Sequence, residues 1–245
     1  MKLYITVLLI FILACTDVSR NSDIELGQEI FEDKSLYKTD AEGNSLACVT
    51  CHPSGNMNNA IVADISETGL TRKWNTPSLW NVAHTAPYLW GGEQEDLKGL
   101  TKFLMEKFMN ANADITDKKV NAVVAYMSSI PSPLSPFKNT DGSFTNAQLR
   151  GKVLFEGRGN CVSCHGGTYF TDNKKWFVNA EADSINTPSL LGMWDTAPYW
   201  HNGKMATIKD VLNKHKWIVG DTPFKVTPPF SDEEKNDLEA YLNAL

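Results

Sequence analysis

The cysteines and histidines of this 245-residue chain, five of each, fall in a pattern that carries chemistry. Leaving Cys15 aside, the cysteines form two copies of Cys-x-x-Cys-His, namely Cys48-Val49-Thr50-Cys51-His52 and Cys161-Val162-Ser163-Cys164-His165. With this composition one copy is expected by chance on the order of once in 10⁵ positions, so two copies are a strong signal. Thiols one helical turn apart can form thioethers with the two vinyl groups on one edge of a haem, and the next residue then aims its imidazole at the iron. Cys48, Cys51, Cys161 and Cys164 are therefore expected to attach two haem c groups, with His52 and His165 as iron ligands. The alternatives are a structural zinc site or a redox-active cysteine pair on a βαβ unit. Neither accounts for a histidine after both pairs, and the alternating strand pattern of a βαβ unit is missing.

Positioning two such groups calls for two similar scaffolds, and the chain repeats itself. Asn75-Thr76-Pro77-Ser78-Leu79 recurs as Asn186-Thr187-Pro188-Ser189-Leu190, and Thr85-Ala86-Pro87-Tyr88 as Thr196-Ala197-Pro198-Tyr199, both at an offset of 111 residues. The haem motifs are offset by 113 and the pairs Ala125-Tyr126 and Ala240-Tyr241 by 115. Ser22 with Glu25, Thr145 with Gln148 and Ser231 with Glu234 read as capping boxes that open helices. Ile24, Ile30 and Phe31 could pack on the haem beyond the first helix. Leu238, Tyr241, Leu242 and Leu245 have helical spacing, and no convincing strand is present. The expected fold is mainly α, with two tandem cytochrome c-like helical domains, each around one covalent haem c. They occupy residues 16–130 and 137–245, joined by a stiff linker at 131–136 that contains Pro131, Pro133 and Pro136.

The net charge of −6 and a pI near 5.4 argue against nucleic acid as a partner and suit a small cationic electron donor. Residues 1–15 read as a leader: Lys2 precedes the apolar run Tyr4–Ile12, too short to span a bilayer. Ile12-Leu13-Ala14-Cys15 resembles the lipobox of bacterial lipoproteins, with Cys15 as the lipid-bearing residue. Thr16 after it leans towards the outer membrane, so the chain is expected in the periplasm on a lipid anchor.

The paired motifs, the repeated Thr-Pro-Ser-Leu and Thr-Ala-Pro-Tyr elements and the run Tyr199-Trp200-His201-Asn202-Gly203 resemble the bacterial di-haem cytochrome c peroxidase and MauG family, across roughly residues 22–245. The resemblance implies an oxidoreductase that takes electrons from a mono-haem cytochrome or a cupredoxin through the second haem. It implies His215 as the second ligand there, where the family uses methionine or tyrosine. Met205 is the nearest rival, and a solvated His215 between Lys214 and Lys216 the plain alternative. It implies Trp90 as the electron relay between the haems. It also implies a calcium ion held by Asn75, Thr196 and Pro198; hard oxygen donors suit that ion.

The departures concern the first haem, where the family's peroxide-handling glutamine and glutamate read Leu100 and Asn110. Neither can serve as an acid. Glu106 could take that role if the helix register shifts, or Met105 or Met109 could close the iron, although Leu104, Met105, Phe108 and Met109 also read as a core stripe. His84 and His201 read as turn or haem-edge residues. Three activities stay open at this level: hydrogen peroxide reduction at haem 1, electron transfer with both irons six-coordinate, and a MauG-like oxidation of a partner protein, which rests on analogy alone.

Overall fold

The computed structural model describes residues 21–245 apart from 40–42, 44, 54–61, 65–72, 113, 133, 178–183, 216, 220–221 and 225–228. Residues 1–20, and with them Cys15 and the expected leader, lie outside the described residues. Among those residues no helix is long and apolar enough to cross a membrane.

The first half runs through helix α1 (21–32), the one-turn α2 (Cys48–Cys51), strands β1 (Val62–Asp64) and β2 (Lys73–Asn75), α3 (Leu97–Phe103) and α4 (Asp117–Ser128). The second half gives α5 (Asn146–Glu156), a 3-10 turn at Cys161–Ser163, β3 (Lys175–Phe177), β4 (Ser184–Asn186), α6 (Ile208–Lys214), β5 (Trp217–Val219), β6 (Thr222–Phe224) and α7 (Asp232–Asn243). The fold is mainly helical, as the sequence implies. The strands depart from the expectation: β1 pairs with β2, β3 with β4 and β5 with β6, each antiparallel. Runs of three residues are too short to show a period of two, which is why they leave no trace in the sequence pattern.

Two of the expected capping boxes form. The Thr145 and Ser231 hydroxyls accept from the amides of Gln148 and Glu234, whose side chains accept in return from the cap amides. Such caps contribute about 1 kcal/mol each. Helix α1 already includes Asn21, so Ser22 lies within it rather than capping it.

Each half has its own apolar core, built where its first helix crosses its last. A Cβ on Gly27 would lie 2.0 Å from the Ala122 carbonyl oxygen, and one on Gly151 2.0 Å from that of Asp237. The helices thus touch backbone to backbone, a contact that only glycine permits. Beside each crossing an aromatic pair packs edge-on, Phe31 with Tyr126 at 5.2 Å and Phe155 with Tyr241 at 5.4 Å. Phe31 and Phe155 are 1% and 2% exposed, and burying such a ring stabilises by about 1.5–3 kcal/mol. The segment at 131–136 is tied at both ends: Ser132 accepts from the Asn81 side chain, and the Ser135 hydroxyl donates to the Asn243 carbonyl at 2.6 Å.

Candidate functional site

A cavity of about 450 Å³ is lined by both halves and takes in both Cys-x-x-Cys-His motifs. On the second side His165 is buried, and its Nδ1 lies 3.2 Å from the Phe170 carbonyl. A proton shared with that carbonyl fixes the tautomer and leaves Nε2 to face a metal. Burial holds His165 below its ordinary pKa, partly opposed by this bond. Across the cavity stands His215, the residue that ends α6, with ring centroids 6.4 Å apart. Burial, reinforced by the neighbouring His165, pushes the His215 pKa down to about 3. Both rings are therefore neutral, the form that ligates iron.

The spacing tests whether a metal fits. Bonds of about 2.0 Å to one ion, plus a ring radius a little over 1 Å on each side, put two such centroids about 6 Å apart. The observed pair meets that requirement. Met205, the rival, pairs its backbone with Tyr199 and is not among the residues lining the cavity. Burial pushes the Cys48 and Cys161 thiols up to about 12. Among the described residues no three of His, Cys, Asp and Glu converge as a metal cluster, whereas a structural zinc site takes four ligands.

The first side holds Cys48, Cys51 and His52, with α2 placing the thiols one turn apart. Opposite, α3 runs on into a π-helical turn at Leu104–Phe108, closed by the Met109 amide on the Leu104 carbonyl at 2.9 Å. That turn directs Met105 and Met109, 0% and 7% exposed, towards the cavity with Leu100. Glu106 is placed otherwise than the sequence suggested. Its carboxylate lies 3.9 Å from Lys102 on the outer face and does not line the cavity. The register shift that was to bring Glu106 inward brings Met105 inward instead. Asn110 is exposed in a left-handed conformation and is likewise absent from the lining. Among the described lining residues the carboxylate is Glu93, three positions after Trp90, which belongs to no motif and so leaves no signal in the sequence.

Between the halves the repeated elements cross over. The Asn75 side chain donates to the carbonyls of Pro198 at 2.6 Å and Trp200 at 3.2 Å, while the Asn75 amide donates to His201 at 2.7 Å. In mirror image the Asn186 side chain donates to the Pro87 carbonyl, and the Asn186 amide to Trp90 at 2.8 Å. Asn75 and Pro198 thus meet, and Thr196 lines the same cavity. The buried Asn75 Oδ1 makes no hydrogen bond, so turning the amide over would offer an oxygen to a cation beside that carbonyl. Trp90 donates to the Asn75 carbonyl at 2.6 Å. His84 is exposed and stacks on Tyr169 at 4.4 Å. His201, expected in a turn or at a haem edge, is 6% exposed and sits among three tryptophans.

The chain is similar to several known proteins. The family model for di-haem cytochrome c peroxidase matches residues 21–140, and one described as RoxA-like, cytochrome c-like matches residues 185–218. The methylamine utilization protein MauG of Methylorubrum extorquens is 23% identical, over 91% of this chain and 77% of its own length. A cytochrome-c peroxidase, IdrP2, of a Pseudomonas species is 27% identical, over 91% and 80%. Among solved structures, a chain of Kuenenia stuttgartiensis hydrazine synthase superposes with a TM-score of 0.75 at 20% identity, covering 91% of this chain and 87% of its own.

Proposed function

We propose that the chain is a di-haem oxidoreductase of the di-haem cytochrome c peroxidase family, whose model matches residues 21–140, and that it relays electrons from a small periplasmic donor through its second half to its first. Two covalent haem c groups supply the one-electron chemistry when bound. The observation that carries the reading is the facing pair His165 and His215. His165 would hold the iron from the motif side and His215 from the α6 side, a ligand pair that lowers the reduction potential relative to His and Met. His52 would hold the other iron, with Met105 or Met109 as the group opposite. Trp90, bonded to the Asn75 carbonyl, stands between the two sides as the relay.

Peroxide reduction is a minor activity in this reading. Leu100, Met105 and Met109 themselves offer no proton on the first side, which leaves Glu93 as the candidate donor, and general acid–base help is typically worth 10² to 10⁴ in rate. Asn75 Oδ1 with the Thr196 and Pro198 carbonyls would hold Ca²⁺. The donor is a mono-haem cytochrome or a cupredoxin with a cationic face, suited to the net charge of −6. A lipid on Cys15 would keep the chain at the outer membrane, and nucleic acid is no partner.

Rapid mixing of the half-reduced protein with hydrogen peroxide tests this. Slow oxidation, at least 10²-fold below a family peroxidase, is expected. Fast oxidation with sustained turnover would show that the first side is open and has its own proton donor. A Glu93→Gln variant would then be the first to examine.

A further inference from the structure

His201 stands at the repeat position of Trp90, 111 residues on, and both are held by the same crossed backbone bonds from Asn75 and Asn186. Its ring lies 5.5 Å from that of Trp74, 6.4 Å from Trp90 and 5.9 Å from Trp200. Trp200 in turn meets His215 edge-on at 5.6 Å. Each pair taken alone is ordinary aromatic packing, which spans 4.5–7 Å. Continuity sets the group apart: His215, Trp200, His201 and then Trp90 or Trp74 form an unbroken series of rings from the second half to two tryptophans of the first, all lining the same cavity. Trp200 joins it through a left-handed backbone at φ 74°, a conformation that costs a bulky residue of order 1 kcal/mol or more. The Asn75 side chain bonds the Trp200 carbonyl and helps hold that conformation.

We propose that Trp200 and His201 form the bridge that carries electrons out of the second site, with Trp90 as its terminus rather than the whole relay. The proposal rests on the two-haem reading above. One electron leaves the site between His165 and His215 as its iron goes from ferrous to ferric, and one arrives at the first site as that iron goes from ferric to ferrous. No bond forms or breaks, and no proton is needed. The bridge starts on the ligand His215 itself, so the path does not depend on Trp90 reaching the second site.

The test uses the holoprotein, a laser flash on a soluble flavin as photoreductant, and the optical relaxation between the two haems. Trp200→Leu and His201→Leu should each slow that relaxation about tenfold or more, equivalent to about 1.4 kcal/mol. Trp200→Phe and His201→Phe, which keep a ring, should stay within about threefold of the parent. Potentials of both haems are measured alongside, since a changed driving force would move the rate without any change of path. An unchanged relaxation in both Leu variants, with two haems bound and potentials as in the parent, would overturn the bridge. Should Trp200→Leu lose its second haem, His201→Leu decides alone, because the ring of His201 packs on Trp74, Trp90 and Trp200. Failure of the underlying reading has a different signature, fewer than two haems in the unsubstituted chain by pyridine haemochrome.

Discussion

Helices α3 and α6 are the same element of the repeat and end differently. Each has seven residues, at an offset of 111, and each opens on a side-chain cap, Asp96 in the first half and Thr207 in the second. Helix α6 stops at His215, which turns extended with ψ 111° and faces His165. Leu104 holds the equivalent position in the first half, and there the chain winds on into the π-helical turn that brings Met105 and Met109 inward. Single π-helical turns tend to occur at functional sites. A duplicated scaffold has thus kept its caps, crossings and inter-half contacts, and changed which side chains face the cavity by changing how one helix ends.

The largest way to break this comparison is His215→Ala. The second iron should pass wholly from low-spin to high-spin with a raised potential, about 59 mV for each tenfold change in equilibrium constant, while the first keeps its spectrum. An unchanged low-spin signal in the variant would remove His215 as a ligand. Next in size are the crossings. Gly27→Ala and Gly151→Ala each force a Cβ onto a carbonyl, and each should cost about 3 kcal/mol, the upper end of overpacking. Calorimetry should show each variant destabilising mainly its own half; equal loss in both would mean that the halves unfold as one unit.

A smaller effect sharpens the contrast between the cores. In the second half Arg150 and Asp237 pair through two hydrogen bonds, at 2.7 and 2.8 Å, and Leu26 and Ala122 hold the equivalent places in the first. Asp237 is buried, but Arg150 is mostly exposed, so Asp237→Ala should cost only about 1 kcal/mol. The double variant Arg150→Leu/Asp237→Ala, which copies the first half, should recover most of it in urea melts. The smallest effect belongs to Glu106→Gln. With its carboxylate turned to Lys102, peroxide oxidation rates should stay within twofold of the parent, whereas a tenfold loss would place that side chain in the reaction.

Much of this was legible in the sequence because it rests on local chemistry. The haem motifs, the Thr145 and Ser231 caps and the repeat are written in contiguous residues. What escaped depends on long-range placement. The hairpins are too short to show an alternation, and a π-helical turn has no residue code, so the orientation of Met105 against Glu106 was not readable from spacing. The mirror contact of Asn186 with Pro87 was implicit in the repeat, since Asn75 and Pro198 are its counterparts. The placing of His201 opposite Trp90 was implicit in the offset of 111 but hidden by the change of residue type.

The central claim, that one scaffold holds two irons in different ligand fields, is tested most directly by an electron paramagnetic resonance spectrum of the oxidised holoprotein with spin quantitation. The account predicts one low-spin signal of bis-histidine type, integrating to one spin per chain, beside a distinct second signal from the first half. Two spins per chain in a single shared signal, or no bis-histidine signal at all, would contradict it.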